Sequence, residues 1–200
     1  MKKIIFATGN PTKAKRFSKG LLNYDIEVLS LKDLNLKLEV EENGKNVIEN
    51  ALNKARECYK NTKMPTIGMD DSLYLEGVPD EMQPGLFVRR VNGKNLNDEE
   101  MLIHYKSLVS KYGKDGKLNC KWIYGLAVID ENGKESTYTW EKANFYMVSE
   151  ASEKINPGYP LNSISKYKAL GKYFTDTTDE DLKLIEVNED HVVEFIKNHI

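Results

Sequence analysis

The chain opens on an apolar run, Ile4, Ile5 and Phe6 within Lys2 to Ala7, which reads as a buried strand. Apolar positions return at Phe17, Leu21 and Leu22 with helical spacing, so one helix is expected over Thr12 to Leu22. Between the two lie Thr8, Gly9, Asn10 and Pro11, a polar turn that ends close to a helix start, where unpaired backbone N–H groups and the dipole favour an anion. Glu27 to Leu31 reads as a second strand, followed by an acidic and apolar stretch from Leu34 to Glu42 and a turn at Asn43 and Gly44. From Asn46 to about Tyr59 the stripe Val47, Ile48, Ala51, Leu52 and Ala55 predicts an amphipathic helix, with Asn46, Asn50 and Lys54 four apart on another face that is available to a cleft.

Pro65 to Met69 predicts a short buried strand that ends at Asp70 and Asp71, and residues 77–85 read as a loop. Asp98 to Tyr112 is expected to be a helix with Asn97 or Asp98 as its cap. Residues 118–130 and 135–149 read as a strand pair joined by a hairpin turn at Asn132 and Gly133, and Val187 to Ile200 as a closing helix. The alternation of strands and helices, without repeat or linker, predicts a single mixed α/β domain over residues 1–200 with room for two lobes.

Charge narrows the class of partner. Lys plus Arg is 29 and Asp plus Glu is 31, so no diffuse attraction to nucleic acid is expected, and a polyanionic small ligand needs a local basic pocket. No run approaches the ~20 apolar residues of a membrane span, which points to a cytoplasmic protein without a membrane partner. Cys58 and Cys120 stand far apart and read as buried thiols, and with three histidines in the chain a zinc centre is not expected.

Three polar segments fall at the ends of predicted elements: Thr8 to Lys13, Glu41 with Glu42, and Asp70 with Asp71. Each alone has an ordinary structural use in turns and helix starts. Together they are chemically complementary. Carboxylates are hard oxygen ligands for magnesium, which bridges to substrate phosphates, while lysines and a helix start neutralise those phosphates.

The segments "FATGNPTK", "EENGKNVIENALNKAR", "MDDS" and "PGLFVRR", in that order across residues 1–93, resemble the inosine triphosphate pyrophosphatase family. The resemblance implies an elongated mixed central sheet flanked by helices, two lobes with a cleft between them, and a homodimer. It implies magnesium-dependent hydrolysis of nucleoside and deoxynucleoside triphosphates, non-standard purines such as inosine and xanthosine triphosphates among them, to monophosphate and pyrophosphate. By the same resemblance Thr8, Asn10, Lys13 and Lys54 contact the triphosphate, and Ser72, Arg90 and Tyr159 are further substrate contacts. Glu42 and Asp71 hold Mg2+ and carry catalysis, Asp71 also orienting or deprotonating the attacking water, with Asp70 in support.

The likeness weakens toward the C-terminus. Leu73 follows Ser72 where the family has Gly-Leu, Val88 stands where it has a serine, Gly158-Tyr159-Pro160-Leu161 lacks the family's Asp before Pro, and no Ser-His-Arg is present. Tyr159 remains available to stack on a base, and Lys166, Lys168 and Lys172 lie near where the family has a phosphate or base contact. A nucleotide-binding protein of the same fold, with altered base selectivity or lost turnover, is the alternative reading.

Overall fold

The computed structural model describes residues 1–40, 43–185 and 187–200, with the backbone alone for Pro11 and Thr12. The element order is β1 (Lys2–Phe6), α1 (Pro11–Lys15), α2 (Ser18–Leu22), β2 (Ile26–Ser30), α3 (Val47–Thr62), β3 (Thr66–Leu75), β4 (Arg90–Val91), β5 (Lys94–Asn95), α4 (Asp98–Tyr112), β6 (Lys117–Ile129), β7 (Glu135–Val148), β8 (Ser165–Tyr167), α5 (Asp179–Leu184) and α6 (Asp190–Asn198). The main sheet is mixed and runs β2-β1-β3-β6-β7-β8; β4 and β5 form a separate hairpin. β1 pairs in parallel with both β2 and β3, whereas β7 and β8 are antiparallel.

The chain divides into two compact units, one of residues 1–71, 124–140 and 189–200, the other of residues 72–123 and 141–188. In the first, Ile4, Ile5 and Phe6 are fully buried, as expected of a central parallel strand covered on both faces. Phe17 stacks on Phe6 and meets the edge of Trp140. Helix α3 lays Ala51 and Ala55 against Ala127 and Ile129. That approach is close: a Cβ on Gly68 of β3 would lie 2.0 Å from the Ala51 carbonyl oxygen, so only glycine fits there. In the second unit Tyr105 and Leu108 of α4 pack with Phe145 and Met147 of β7, and the buried Tyr105 hydroxyl donates to the Val88 carbonyl at 2.8 Å. Both cysteines are free and buried.

Three expectations need correction. The single helix over Thr12 to Leu22 is two short helices, because the Arg16 N–H turns to the Lys13 carbonyl and closes a turn at Arg16 and Phe17, whose side chains meet Glu189 and Phe6. The strand expected to stop at Met69 continues through Asp70, Asp71 and Ser72 to Leu75. Ionised side chains disfavour a strand interior unless each is compensated, and here each aspartate has its own lysine. The 3₁₀ turn Asp80–Met82 lies within the expected 77–85 loop. The closing helix is shorter than Val187 to Ile200, and β8 and α5 were not foreseen.

Candidate active site

The turn after β1 builds itself from its own side chains. Thr8 Oγ1 accepts from the backbone N–H of Asn10 at 3.1 Å, and Asn10 Oδ1 accepts from that of Lys13 at 3.3 Å. These local bonds fold the segment back on itself and set the direction in which Lys13 leaves α1. The Lys13 ammonium then donates to Asp71 Oδ2 at 2.5 Å, both side chains about four-fifths buried.

On α3, Lys54 donates to Asp70 Oδ1 at 2.6 Å, and Asn50 Nδ2 donates to Asp70 Oδ2 at 2.9 Å. Successive residues of a strand point to opposite faces, so Asp70 meets α3 while Asp71 meets Lys13 after β1. Each of the adjacent carboxylates therefore has its own lysine. The two lysine–aspartate pairs on a single strand offset the like-charge cost that neighbouring aspartates otherwise carry.

A third charged group stands three residues after Lys13. Arg16 makes a bidentate pair with Glu189, its Nε donating at 2.7 Å and its Nη2 to the other carboxylate oxygen. Its guanidinium lies 4.4 Å from the centroid of the Tyr124 ring, and Trp140 stacks on Tyr124 at 5.0 Å. Burial alone would lower the Arg16 pKa, but the hydrogen bond to Glu189 and the attraction of Tyr124 outweigh it and hold the group charged. Burial pushes the Tyr124 hydroxyl above its ordinary range; Arg16 opposes that shift and the negative charge of Asp71 adds to it. The sequence patterns do not single out Arg16. The signal available was its rarity, as the chain has only four arginines, at 16, 56, 89 and 90.

The structure thus gathers Thr8, Asn10, Lys13, Lys54, Asp70 and Asp71 in the first unit. Glu42 lies outside the described residues. Ser72, Arg90 and Tyr159 belong to the second unit. There Ser72 is buried, and exposed Arg90 lies over the Phe87 ring with its guanidinium 5.2 Å from the centroid. Arg89, not Arg90, does the local fastening: it donates to Asp98 at 2.8 Å, and the other Asp98 oxygen accepts from the N–H of Gly158, next to Tyr159. The three C-terminal lysines are engaged locally, Lys166 over Tyr173, Lys168 on the Ala143 carbonyl and Lys172 on Asp181.

Among the described residues no three His, Cys, Asp or Glu side chains converge on a metal position. A magnesium ion that takes one or two carboxylates and completes its shell with water and phosphate does not require three. The chemistry of Asp71 fits such an ion, since its carboxylate is partly exposed and already holds a cation, the Lys13 ammonium.

A protein from Leptospira interrogans named dITP/XTP pyrophosphatase is 29% identical over 98% of this chain and 98% of its own. One of the same name from Yersinia pseudotuberculosis is 33% identical over 90% and 89%. Among solved structures, the Ham1 protein of Staphylococcus aureus superposes with a TM-score of 0.74 over the whole of both chains at 18% identity, and a HAM1 protein from Coxiella burnetii with 0.71 over 99% and 98% at 20% identity. These structures share the mixed α/β fold, and the family model described as Ham1 matches residues 4–159, so the chain belongs to the Ham1 family.

Proposed function

We propose that this chain is a magnesium-dependent nucleoside triphosphate pyrophosphatase, active on inosine and xanthosine triphosphates among others, which works in the cytoplasm as a homodimer. The observation that carries the reading is the pairing of Lys13 with Asp71 directly after a turn whose Thr8 and Asn10 side chains are fixed by local hydrogen bonds. A cation suited to phosphate beside an anion suited to metal or water supports the reading. The shared name of the relatives, dITP/XTP pyrophosphatase, supports the substrate class.

In this reading Lys13 and Lys54 bind and neutralise the triphosphate, and Asn10 and Thr8 hold the turn against it. Asp71, with Glu42, holds the magnesium ion. When bound, that ion supplies Lewis-acid polarisation of the phosphoryl oxygens and lowers the pKa of bound water. Asp71 also orients the attacking water and accepts its proton. The water oxygen bonds to phosphorus as the α–β anhydride bond breaks, giving nucleoside monophosphate and pyrophosphate. Ser72, Arg90 and Tyr159 contribute further substrate contacts, Tyr159 through the face of its ring.

The test is pyrophosphate release from inosine, xanthosine, guanosine, adenosine and pyrimidine triphosphates with and without magnesium, on wild type and Asp71→Asn. An amide is a weaker metal ligand and does not accept the proton, so Asp71→Asn is expected to lose at least ~100-fold in kcat while keeping its fold and nucleotide affinity. Near-normal turnover in the folded variant removes Asp71 from its role. A wild type that binds triphosphates without releasing pyrophosphate establishes the second reading, a nucleotide-binding protein of the same fold with lost turnover; the missing Ser-His-Arg and the missing Asp before Pro160 bear on base selectivity. Sedimentation at micromolar concentration tests the dimer.

A further inference from the structure

Asn50 contacts neither phosphate nor metal in the reading above, yet it is the most constrained polar side chain beside the acidic strand. It is 2% exposed. Its Nδ2 donates to Asp70 Oδ2 at 2.9 Å, and its Oδ1 accepts from the backbone N–H of Gly44 at 2.8 Å. The second oxygen of Asp70 holds Lys54, one turn further along α3. Asp70 is itself 7% exposed, so its two oxygens are apportioned between two residues four apart on one helix.

The side chain at position 50 must donate to one partner and accept from another at once, and a carboxamide is the short group that does both. A carboxylate keeps the acceptor and loses the donor; a leucine of similar size loses both. The backbone at position 44 is equally constrained. A Cβ on Gly44 would lie 2.5 Å from Asn50 Oδ1 and 2.8 Å from the Asn50 nitrogen, so the segment reaches the amide only as glycine.

We propose that Asn50 is a positioning residue that acts through Asp70 on Lys54. By occupying one Asp70 oxygen it leaves a single oxygen for the lysine, which keeps the ammonium aimed and able to pass to a phosphate. Without that bond both oxygens turn to Lys54, and the tighter pair withholds it from substrate. The proposal rests on the reading of Lys54 as a phosphate contact.

The experiment is a double-mutant cycle on Asn50→Leu and Lys54→Met, with KM and kcat for inosine triphosphate read by pyrophosphate release under saturating magnesium. Asn50→Leu is expected to raise KM about 10-fold or more with a smaller change in kcat, and to add little once Lys54 is Met, because its effect passes through that lysine. Asn50→Asp is expected to lose as much in KM yet keep slow hydrogen exchange at the Gly44 amide, which Asn50→Leu makes fast. It also carries the same cycle where the leucine variant does not fold. A wild-type KM in either Asn50 variant, or losses that add in full with Lys54→Met, overturns the proposal and leaves the pyrophosphatase reading standing. A wild-type KM in Lys54→Met instead removes Lys54 from the phosphates and the proposal with it, and a wild type without turnover overturns both.

Discussion

The Lys13–Asp71 pair places the two halves of the proposed site in competition before substrate arrives. A divalent cation that binds Asp71 in the absence of nucleotide has to displace the Lys13 ammonium, which stands 2.5 Å from Oδ2. The pair lies between two regimes, because exposed pairs contribute roughly 0.2–1 kcal/mol and breaking a fully buried one costs about 3–5 kcal/mol. With side chains 19% and 22% exposed, about 1–2 kcal/mol is reasonable, and at ~1.4 kcal/mol per factor of ten this is roughly 5- to 30-fold in an equilibrium constant. Lys13→Met removes the competitor and keeps most of the apolar stem. Its nucleotide-free affinity for Mn2+, used as a paramagnetic stand-in for Mg2+ and read by electron paramagnetic resonance, is therefore expected to rise by that factor.

Affinity for the triphosphate should move the other way, since Lys13 is then missing from the phosphate side. Linkage makes the idea sharper. In wild type, metal frees Lys13 for phosphate and phosphate frees Asp71 for metal, so each ligand should tighten the other; in Lys13→Met this reciprocal gain should shrink. Asp71→Asn serves as the control that lowers metal affinity. A folded Lys13→Met protein that binds Mn2+ no more tightly than wild type refutes the competition.

Two other groups give predictions about stability. Glu189→Gln leaves the Arg16 guanidinium, enclosed by Tyr124 and Trp140, without its counter-charge, and should cost about 3 kcal/mol in urea unfolding; a loss under ~1 kcal/mol would show that the pair is effectively solvated. Asp181 is held down to about 2 by its hydrogen bond to Lys172 and by the backbone N–H of Thr178. Its folded pKa lies below the unfolded one, so its contribution is present above pH ~4 and is lost as pH falls toward 2. Asp181→Asn should thus be less stable than wild type at pH 6, with the gap closing between pH 4 and 2 on acid titration followed by circular dichroism, and a gap that stays constant refutes the assignment.

What was legible in the sequence was what short segments decide. Helix α4 begins where Asn97 predicts it, because the capping box is closed by Glu100 only three residues away. The hairpin between β6 and β7 turns where Asn132 and Gly133 predict it, and α3 carries the stripe its spacing requires. The break between α1 and α2 was hidden because the partner that holds the turn residue is distant: the Arg16 side chain pairs with Glu189, 173 residues later. The course of β3 through two aspartates was hidden for the same reason. Each charge is tolerated in the strand only because a lysine from another element meets it, and the pairing partners lie 58 and 16 residues away.

The same distinction bears on base selectivity. Phosphate recognition needs charge and a few local hydrogen bonds, and in the proposed reading these come from the first 71 residues. Reading a base edge needs donors and acceptors whose loss leaves polar groups unpaired, and such sites reject analogues by large factors. In the C-terminal half the family's Asp before Pro and its Ser-His-Arg are missing, and Lys166, Lys168 and Lys172 are already committed to Tyr173, Ala143 and Asp181. The stacking proposed for Tyr159 tolerates every base. The expected outcome is a shallow specificity profile, with inosine and xanthosine triphosphates preferred over guanosine and adenosine triphosphates by less than ~100-fold in kcat/KM under one magnesium condition. A steeper preference would mean that donors outside these motifs read the 6-oxo edge, and would overturn the inference from the missing residues without touching the phosphate site.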